Sequence, residues 1–415
     1  MGDQTISGWS GALKQYYDDQ KLTDMQARKS ALLGMIRRTT WAGKGKPLPM
    51  ITDPGQAALS GTYSTANTNR VGASTAQFLA AHFGKIFAVG GIENDVLDAA
   101  MDTRSAFDDL RRETGAKLDF VSRELAHTLF RGQNASCGVI SAISEGGGQT
   151  TITVTDFADI ANLGAGANLV AASAAGGALR GSGADYPVVS INRSAGTIVL
   201  TGTAATTSSW AAGDVLSREG SAPNGGDRIV PSGFADWIPD TAPTSGDSHY
   251  GVDRSSDPDK LAGLRLDASS GSVKEAVSEM AARILANGGE PDTLFVNPIR
   301  YQVLEMELDS FASHEKIGPR NASATIGYNA MRVAAGNGSV RIVSDSACPF
   351  YRAYMLTLDS WEFQELGGKP QPRLQDMGNG ELLQLGDADV KKFWAVAKGD
   401  LACVNPGMNG VIKFN

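Results

Sequence analysis

Residues 103–132 constrain the fold most, because their apolar side chains recur with the period of an α-helix. Asp102 or Thr103 can cap the start of this helix, and Gly132 stands where a left-handed residue would end it. At 1.5 Å per residue the predicted helix is roughly 40 Å long. A long surface helix packed on a sheet and a spine that crosses an extended subunit both fit the pattern. The apolar stripe, which predicts the buried face of the spine, consists of Phe107, Leu110, Leu118, Val121, Leu125 and Leu129.

Length and composition exclude several classes of protein. A chain of 415 residues predicts roughly two to four folding units. Its 42% hydrophobic content excludes global disorder, and its formal charge of −8 argues against a surface that coats DNA uniformly. No apolar run is long enough to cross a membrane, and the start of the chain lacks a signal-peptide pattern. The three cysteines are far apart in the sequence, which predicts free thiols. Together these features predict a soluble protein that is made in a cytoplasm.

Residues 1–45 are predicted to form an arm rather than a domain, because their apolar residues follow a helical pattern only in short pieces. Such an arm must bury these residues against its own body or against a neighbouring subunit. Residues 28–46 contain six basic residues and no acidic one. We favour a solvated helix face followed by a loop, and keep contact with nucleic acid as the alternative. The candidate DNA-facing residues are Arg28, Lys29, Arg37 and Arg38.

Residues 46–92 are predicted to form a long β-hairpin. The prolines of its first strand, Pro47 and Pro49, confine that strand to an edge position. The return strand is expected over residues 77–89. Between the strands lies a polar, glycine-rich tip with nothing to bury, which is unusual inside one compact domain. We therefore expect the tip to lie on a neighbouring subunit, with candidate contacts at Pro47, Pro49, Gly55, Tyr63 and Arg70.

The composition changes after the long helix. Gly, Ala, Ser and Thr dominate residues 133–222, where β-branched residues alternate regularly and predict a small inserted β domain. A hairpin is expected there, from residues 186–191 and 197–201. Residues 223–259 are predicted to be an irregular connector, anchored by Phe234 and Trp237.

An α/β pattern follows over residues 260–386. Ser272 and Glu275 predict a capping box at the start of an amphipathic helix. The last strands, in residues 387–415, alternate around Phe393 and Trp394. They are expected to pair with each other and with the early hairpin region.

The chain contains no sequence pattern that predicts catalysis. It has no phosphate-binding loop, no serine nucleophile elbow and no zinc-binding histidine motif. Asp253, Asp257 and Asp259 resemble a calcium-binding cluster but lack the glycine and glutamate of that loop. We predict no catalytic residue, no cofactor and no metal ligand.

Four segments resemble the tailed-bacteriophage major capsid protein family, whose fold is shared with encapsulins. They are GKPLPMI, LAHTLFRG, PDTLFVNPIRYQVL and VKKFWAVAKGDLACVNPGMNGVIKF, in an order that extends the resemblance over nearly the whole chain. The resemblance implies an α+β, phage major-capsid fold with an N-terminal arm, an extended β-hairpin loop, a long spine helix in a peripheral domain, an α/β axial domain and an inserted small β domain. Residues 93–132 and 387–415 would form the peripheral domain, and residues 260–386 the axial domain.

The family resemblance also implies a function. The chain would form hexamers and pentamers of an icosahedral head that encloses viral double-stranded DNA without sequence specificity. Expected partners are a separate scaffolding protein, a portal and a decoration protein, with no membrane. The protein would be located in the virion and assembled in the bacterial host cytoplasm.

Three other functions remain open from the sequence. An encapsulin-type nanocompartment shell would share the fold but enclose a cargo enzyme. A β-rich hydrolase would need an acid–base pair or a nucleophile that the sequence does not reveal. A secreted β-rich adhesin would need a signal peptide.

Overall fold

The structure is a computed structural model that describes residues 30–41, 46–53, 61–68, 74–80, 83–93, 105–132, 137–174, 177–221, 229–269, 271–309, 331–335, 338–366, 372–375, 383–384 and 390–414. Within these residues the fold is a mixture of helices and sheets. The α-helices are Ala31–Met35 (α1), Tyr63–Thr68 (α2), Ser105–Arg131 (α3), Ala204–Ser208 (α4), Phe234–Trp237 (α5), Pro258–Ala262 (α6), Val273–Ala286 (α7) and Pro298–Asp309 (α8).

The strands of the first half of the chain are Arg37–Trp41 (β1), Lys46–Asp53 (β2), Ser74–Ala80 (β3), Gly84–Glu93 (β4), Gly138–Gly146 (β5), Gln149–Val154 (β6), Asn168–Ala172 (β7), Tyr186–Asn192 (β8), Thr197–Thr201 (β9) and Val215–Arg218 (β10). Those of the second half are Ser248–His249 (β11), Val252–Asp253 (β12), Leu264–Asp267 (β13), Thr293–Val296 (β14), Met331–Ala335 (β15), Gly338–Ser344 (β16), Arg352–Leu356 (β17), Trp361–Leu366 (β18), Arg373–Gln375 (β19), Leu383–Gln384 (β20), Val390–Cys403 (β21) and Gly410–Lys413 (β22).

The sheet around β21, here called the peripheral sheet, supports the long helix. β4 pairs antiparallel along one edge of β21, while β20, β19 and β18 follow one another along the other edge. β1 adds to β18 as a parallel strand. The helix α3 packs on β4 and β21. Ala88, Ala395 and Ala397 share one side of this sheet by register and are buried in the same core as α3. Their small side chains allow the helix to approach the sheet closely.

The second large sheet, here called the axial sheet, has the order β13-β22-β17-β14-β16-β15. Helix α7 packs on it and buries Val277, Met280 and Ile284. The Ser272 hydroxyl accepts a hydrogen bond from the Glu275 backbone N–H, which is the N-cap bond of the predicted capping box. Glu307 of α8 adds a second cap, since its carboxylate accepts from the Ser272 hydroxyl and from backbone N–H groups of the first turn.

Strands β5 to β10 form a closed barrel with the order β10-β5-β6-β9-β8-β7. The expected hairpin is confirmed, because β8 pairs antiparallel with β9. The interior of the barrel is apolar, and Ile152, Ile198 and Leu200 are fully buried in it. The chain enters the barrel at β5 and leaves it at β10, and these two strands pair with each other. The barrel therefore begins and ends at one place on the subunit.

Two expectations about strand placement were wrong. The stretch 77–89 is not one return strand, because β3 ends at Ala80 and pairs with β2, whereas β4 begins at Gly84 and pairs with β21. The hairpin is thus shorter than residues 46–92. The second expectation placed the chain end beside the spine, but β22 lies in the axial sheet, while β18 lies in the peripheral sheet. Alternation in a sequence indicates a strand but carries no information on its partner.

The predicted spine helix is confirmed as α3, which spans 27 residues and ends at Gly132 with a φ of 75°. Along the described part of its apolar stripe, burial increases towards the C-terminal end of the helix. Val121, Leu125 and Leu129 are fully buried, and Leu118 is half-buried against the same core. The side chains of Phe107 and Leu110, like the cap residues 102–103, lie outside the described part of the chain. The last two turns of α3 are buried on all sides, since residues 125–132 are all classed as buried.

We predict that Leu125→Ala destabilises the subunit by about 2–5 kcal/mol, because the substitution leaves a cavity under the spine. The measurement is urea unfolding of the isolated subunit. Leu118→Ala is the matched control, since it removes the same atoms from a half-buried position and should cost less. Equal losses for the two variants would contradict the burial gradient along α3.

Candidate assembly surfaces

The β2–β3 hairpin is attached to the body through its base. Leu48 and Phe78 stand opposite each other in the hairpin, and both are buried. The Phe78 ring centroid lies 5.2 Å from that of Trp237 and 6.3 Å from that of His249. Among the described strands, β2 and β3 form a ladder only with each other. The hairpin is therefore fixed at one end and adds no strand to the two large sheets.

The two candidate prolines lie in this ladder. Pro47 stands opposite Leu79, and Pro49 stands opposite Gln77. A two-stranded ladder leaves one edge of each strand open, so a residue without an N–H group is accommodated there. The prolines also prevent that edge from pairing with a further strand in full register.

The described part of the hairpin tip is poorly buried in its own subunit. Residues 61–68 contain the short helix α2, which buries no residue. Tyr63 is 85% exposed, the largest exposed fraction among the large hydrophobic side chains that the structure describes. A helix of six residues gains too little from its own hydrogen bonds to be stable in water. Gly55 and Arg70, the other candidate contacts of the tip, lie outside the described residues.

The described end of the arm is held by its own subunit. Leu32 and Ile36 are buried in the core that contains α3, and the carboxylate of Asp345 accepts a hydrogen bond from the Leu32 N–H. Arg38 forms an ion pair with Glu365 at 3.2 Å and also donates to a backbone carbonyl, whereas Arg37 is exposed. Arg28 and Lys29 lie outside the described residues. Of the candidate DNA-facing residues, Arg38 thus has a structural role in this subunit.

A largely buried group of ionisable side chains joins the spine to the barrel. We call it the ionic junction, and it consists of Glu124, His127, Arg131, Asp159 and Arg218. The Arg131 Nε donates to the Asp159 Oδ1 at 2.6 Å, and the Arg218 Nη2 lies 2.7 Å from the Glu124 Oε1. Both pairs connect α3 with barrel residues. Because each charge is paired, removing one partner would leave the other buried and unpaired.

The same region connects the barrel to the axial sheet. Asp156 accepts hydrogen bonds from the backbone N–H groups of Phe350 and Tyr351, just before β17. The Arg131 Nη1 donates to the carbonyl oxygen of Ala347. The position of the barrel is therefore set by polar contacts to two other parts of the fold rather than by its chain connections alone.

Burial changes the protonation of the ionic junction. It raises the pKa of Glu124 and of Asp159, against the opposing attraction of Arg218 and Arg131 respectively. It lowers the pKa of His127 well below the ordinary value, and the positive charges of Arg131 and Arg218 lower it further. Within the described residues, the buried Nε2 atom of His127 has no hydrogen-bond partner. A proton added there would be a buried charge without an acceptor.

The sequence did not reveal this junction, although it contained a signal. Glu124, His127 and Arg131 follow one another at steps of three and four, which places them on one face of a helix. A second, polar stripe beside an apolar one is usually a solvated face. Asp159 and Arg218 come from the barrel, so only the fold shows that the stripe is covered.

We predict that acidification destabilises the subunit through His127. The imidazole has a lower pKa in the folded state than in the unfolded chain, where it is about 6.5. Its contribution is thus fully present above that pH and is lost as the pH falls. Relative to His127→Gln, the unfolding free energy of the natural chain should decrease by about 1 kcal/mol from about pH 7 to about pH 5.5. Urea unfolding at each pH measures this difference.

The neighbouring carboxyl groups act in the opposite direction. The raised pKa values of Glu124 and Asp159 mean that acidification favours the folded state through these groups. An identical pH dependence of the natural chain and His127→Gln would contradict the role assigned to His127.

The remaining reactive groups have structural surroundings. Cys137, Cys348 and Cys403 are free and buried, and burial raises the pKa of Cys137 and Cys403 to about 12. Such thiols are largely protonated and unreactive at neutral pH. Within the described residues, no cluster of histidine, cysteine or carboxylate side chains is arranged to hold a metal ion. None of the described helices combines the length and the apolar character needed to span a membrane.

The acidic triplet of the connector is used for local structure. Asp253 accepts from the Ser255 N–H, and Asp257 accepts from the Lys260 N–H at the start of α6. The Asp259 carboxylate lies 3.6 Å from Arg265. Helix capping and an ion pair therefore account for the carboxylates that resembled a calcium loop.

Comparisons with known proteins identify the fold. No family model matches the chain, and no curated protein matches it. Among solved structures, the cyanophage A-1(L) capsid asymmetric unit is similar with a TM-score of 0.57 and 12% identity, over 95% of this chain and 94% of the other. The capsid of a native GTA particle is similar with a TM-score of 0.51 and 10% identity, over 99% of both chains. The chain therefore has the fold of these capsid proteins, as the family resemblance of its sequence implied.

Proposed function

We propose that this chain is the major capsid protein of a tailed bacteriophage, which self-assembles into hexamers and pentamers of an icosahedral head around the viral DNA. The observation that supports this most strongly is similarity to capsid subunits over nearly the full length of both chains. Similarity of this extent concerns the complete subunit, including its hairpin, long helix and two sheets, and not one widespread domain.

The surfaces of the subunit suit a shell. A shell subunit needs contacts with several neighbours, each of about 1,000 Å² or more if it is to be stable. A hairpin fixed at its base by Leu48 and Phe78, with an exposed tip around Tyr63, can provide such area without a large globular core. In this proposal Pro47, Pro49, Gly55, Tyr63 and Arg70 lie on the adjacent subunit. Contacts of this head-to-tail kind generate rings.

Each region of the chain has its own role in the proposed shell subunit. The arm is residues 1–45, the extended loop lies within residues 46–92, and the barrel is an insertion at residues 133–222 joined to the body by the connector 223–259. Residues 93–132 with most of 387–415 form the peripheral domain, and residues 260–386 form most of the axial domain. A separate scaffolding protein, a portal and a decoration protein are its expected partners. The subunit has no catalytic function, and it resides in the virion after assembly in the host cytoplasm.

The contents of the particles distinguish a phage head from a nanocompartment. A phage head holds nuclease-protected DNA, whereas an encapsulin-type shell holds a cargo protein. A chain that stays monomeric with a candidate scaffolding protein would contradict both shell functions, and a β-rich hydrolase would then be the function to test.

We predict that deletion of residues 61–68 leaves a folded subunit that forms no closed shells. The reason is that no residue of the helix α2 in this segment is buried in its own subunit, whereas the segment is needed to reach a neighbour. Urea unfolding measures the stability of the subunit, which should match that of the natural chain. Sedimentation velocity and negative-stain microscopy measure assembly.

Replacement of the same residues by glycine and serine, at unchanged length, is the matched control. It keeps the reach of the hairpin but removes Tyr63 and the helical conformation, so it should weaken assembly less than the deletion does. Normal shells from the deletion variant would show that the tip is not an assembly contact.

A further inference from the structure

The turn between β16 and β17 contacts three parts of the subunit besides its own sheet. It consists of residues 345–351 and is here called the hub turn. Its first residue contacts the arm, its middle contacts the spine helix α3, and its end contacts the barrel. The Asp345 N–H donates to the Val296 carbonyl, and the Cys348 carbonyl accepts from the Asn297 side chain, so the turn is also attached to the axial domain.

The arm is attached to the hub turn through one buried carboxylate. Asp345 is 3% exposed, and its Oδ2 atom accepts hydrogen bonds from the Ser30 hydroxyl and from the Leu32 N–H. The side chain of Ser30 does not cap α1, the helix that it precedes. Asp345 takes the place of that cap, because it accepts from an N–H group of the first helical turn. A helix of five residues depends on such contacts, since its own hydrogen bonds are too few to stabilise it.

The same carboxylate also determines the conformation of the hub turn. Its Oδ1 atom accepts from the Ala347 N–H at 2.9 Å, and the Ala347 carbonyl accepts from the guanidinium of Arg131 in α3. Arg131 is in turn paired with Asp159 of the barrel. Loss of the arm would leave one oxygen of a buried carboxylate without the two donors that the arm supplies, which is costly. Rotation of Asp345 towards other donors would then release the Ala347 N–H and disturb the residue that Arg131 contacts.

A second buried carboxylate attaches the end of the hub turn to the barrel. Asp156 follows strand β6, and its Oδ2 atom accepts from the N–H groups of Phe350 and Tyr351 at 2.8 and 3.3 Å. The ring centroids of Phe157 and Phe350 lie 5.0 Å apart beside these hydrogen bonds. Asp345 and Asp156 therefore hold the two ends of one short turn, the first towards the arm and the second towards the barrel.

We propose that the hub turn couples the arm to the barrel, so that the binding of residues 30–36 to the body fixes the barrel and their withdrawal loosens it. Leu32 and Ile36 hold this segment in place, since both are buried in the core that contains α3. A partner that draws these residues away would therefore change the attachment of the barrel without touching it. The coupling is a property of the single subunit and does not depend on the proposed function.

Reciprocity distinguishes coupling from two independent attachments to a rigid turn. Two sites are coupled when both bias the equilibrium of one element that has two arrangements. Here that element is the hub turn, whose N–H groups are bonded to Asp345 at one end and to Asp156 at the other. A change at the arm must then be felt at the barrel, and a change at the barrel must be felt at the arm.

The test is amide hydrogen exchange of the full chain, at concentrations where sedimentation shows no particles. Rates are taken relative to those of β14, whose residues are all buried, so that a change in global stability does not imitate coupling. Ser30→Ala removes one arm donor to Asp345. It should raise the relative exchange rate of the Phe350 and Tyr351 amides about fivefold or more, the lower end of typical coupling factors between sites.

The reverse experiment changes the barrel and observes the arm. Asp156→Asn keeps the shape of the side chain but replaces a charged acceptor by a neutral one, which weakens its hydrogen bonds. The reporters are the Leu32 amide, which donates to Asp345, and the Ile36 amide, which donates to the Leu32 carbonyl. Their exchange relative to β14 should also become faster.

The matched control is Arg38→Gln, a second change in the arm. It breaks the ion pair with Glu365 of the peripheral sheet and leaves the contacts of Asp345 in place. The relative exchange rates of the hub turn should therefore remain those of the natural chain.

Three outcomes would overturn the proposal. An effect of Ser30→Ala that stops at the arm, or an effect of Asp156→Asn that stops at the barrel and the hub turn, would mean that the two attachments are independent. Equal acceleration of the hub turn by Ser30→Ala and Arg38→Gln would mean that the arm acts on the turn without the buried carboxylate.

Discussion

The packing of the end of the spine helix is the constraint on which the rest of the structure depends. Phe130, in the last turn of α3, contacts the rings of Phe234, Phe295 and Tyr354 with centroid distances of 5.6, 5.8 and 6.0 Å. These residues come from the connector and from two strands of the axial sheet, so one side chain holds three parts of the chain together. The Tyr354 hydroxyl also donates to the Phe130 carbonyl, which satisfies one of the unpaired carbonyl groups at the helix end.

Two glycines make this close packing geometrically feasible. A Cβ atom on Gly233 would lie 2.4 Å from the carbonyl oxygen of Thr128 and 2.6 Å from that of Leu129, so no larger residue can approach the helix there. Gly132 ends the helix in the left-handed region, beside the carboxylate of Asp236. The connector thereby touches the backbone of α3, and its aromatic anchors enter the core.

Different faces of the spine helix α3 contact different parts of the subunit. Its apolar side packs on the peripheral sheet, its last turn enters the aromatic cluster, and its polar stripe forms the ionic junction with the barrel. The core around the helix contains residues of both large sheets, whereas the side of the axial sheet under α7 and the interior of the barrel form two further cores. The other side of the peripheral sheet meets the connector at Asp400 of β21, which accepts hydrogen bonds from Ser232 and Tyr250.

The sequence by itself determined the local elements. The apolar spacing of residues 118–129 defined α3, Gly132 defined its end, Ser272 with Glu275 defined the start of α7, and alternation defined the hairpin of β8 and β9. These elements depend on residues that are close in sequence, so hydrophobic periodicity and capping residues are enough to predict them. The family resemblance supplied the fold that the similar capsid structures then confirmed.

Only the tertiary structure decided which strands pair and which charges meet. That β4 leaves the hairpin to pair with β21, and that β22 joins the axial sheet, depends on partners hundreds of residues apart in some cases. The ionic junction likewise combines residues from separate stretches, for example Arg131 with Asp159. The physical reason is that burial and electrostatic interaction depend on distance in space, and a sequence period reports only the face of one element.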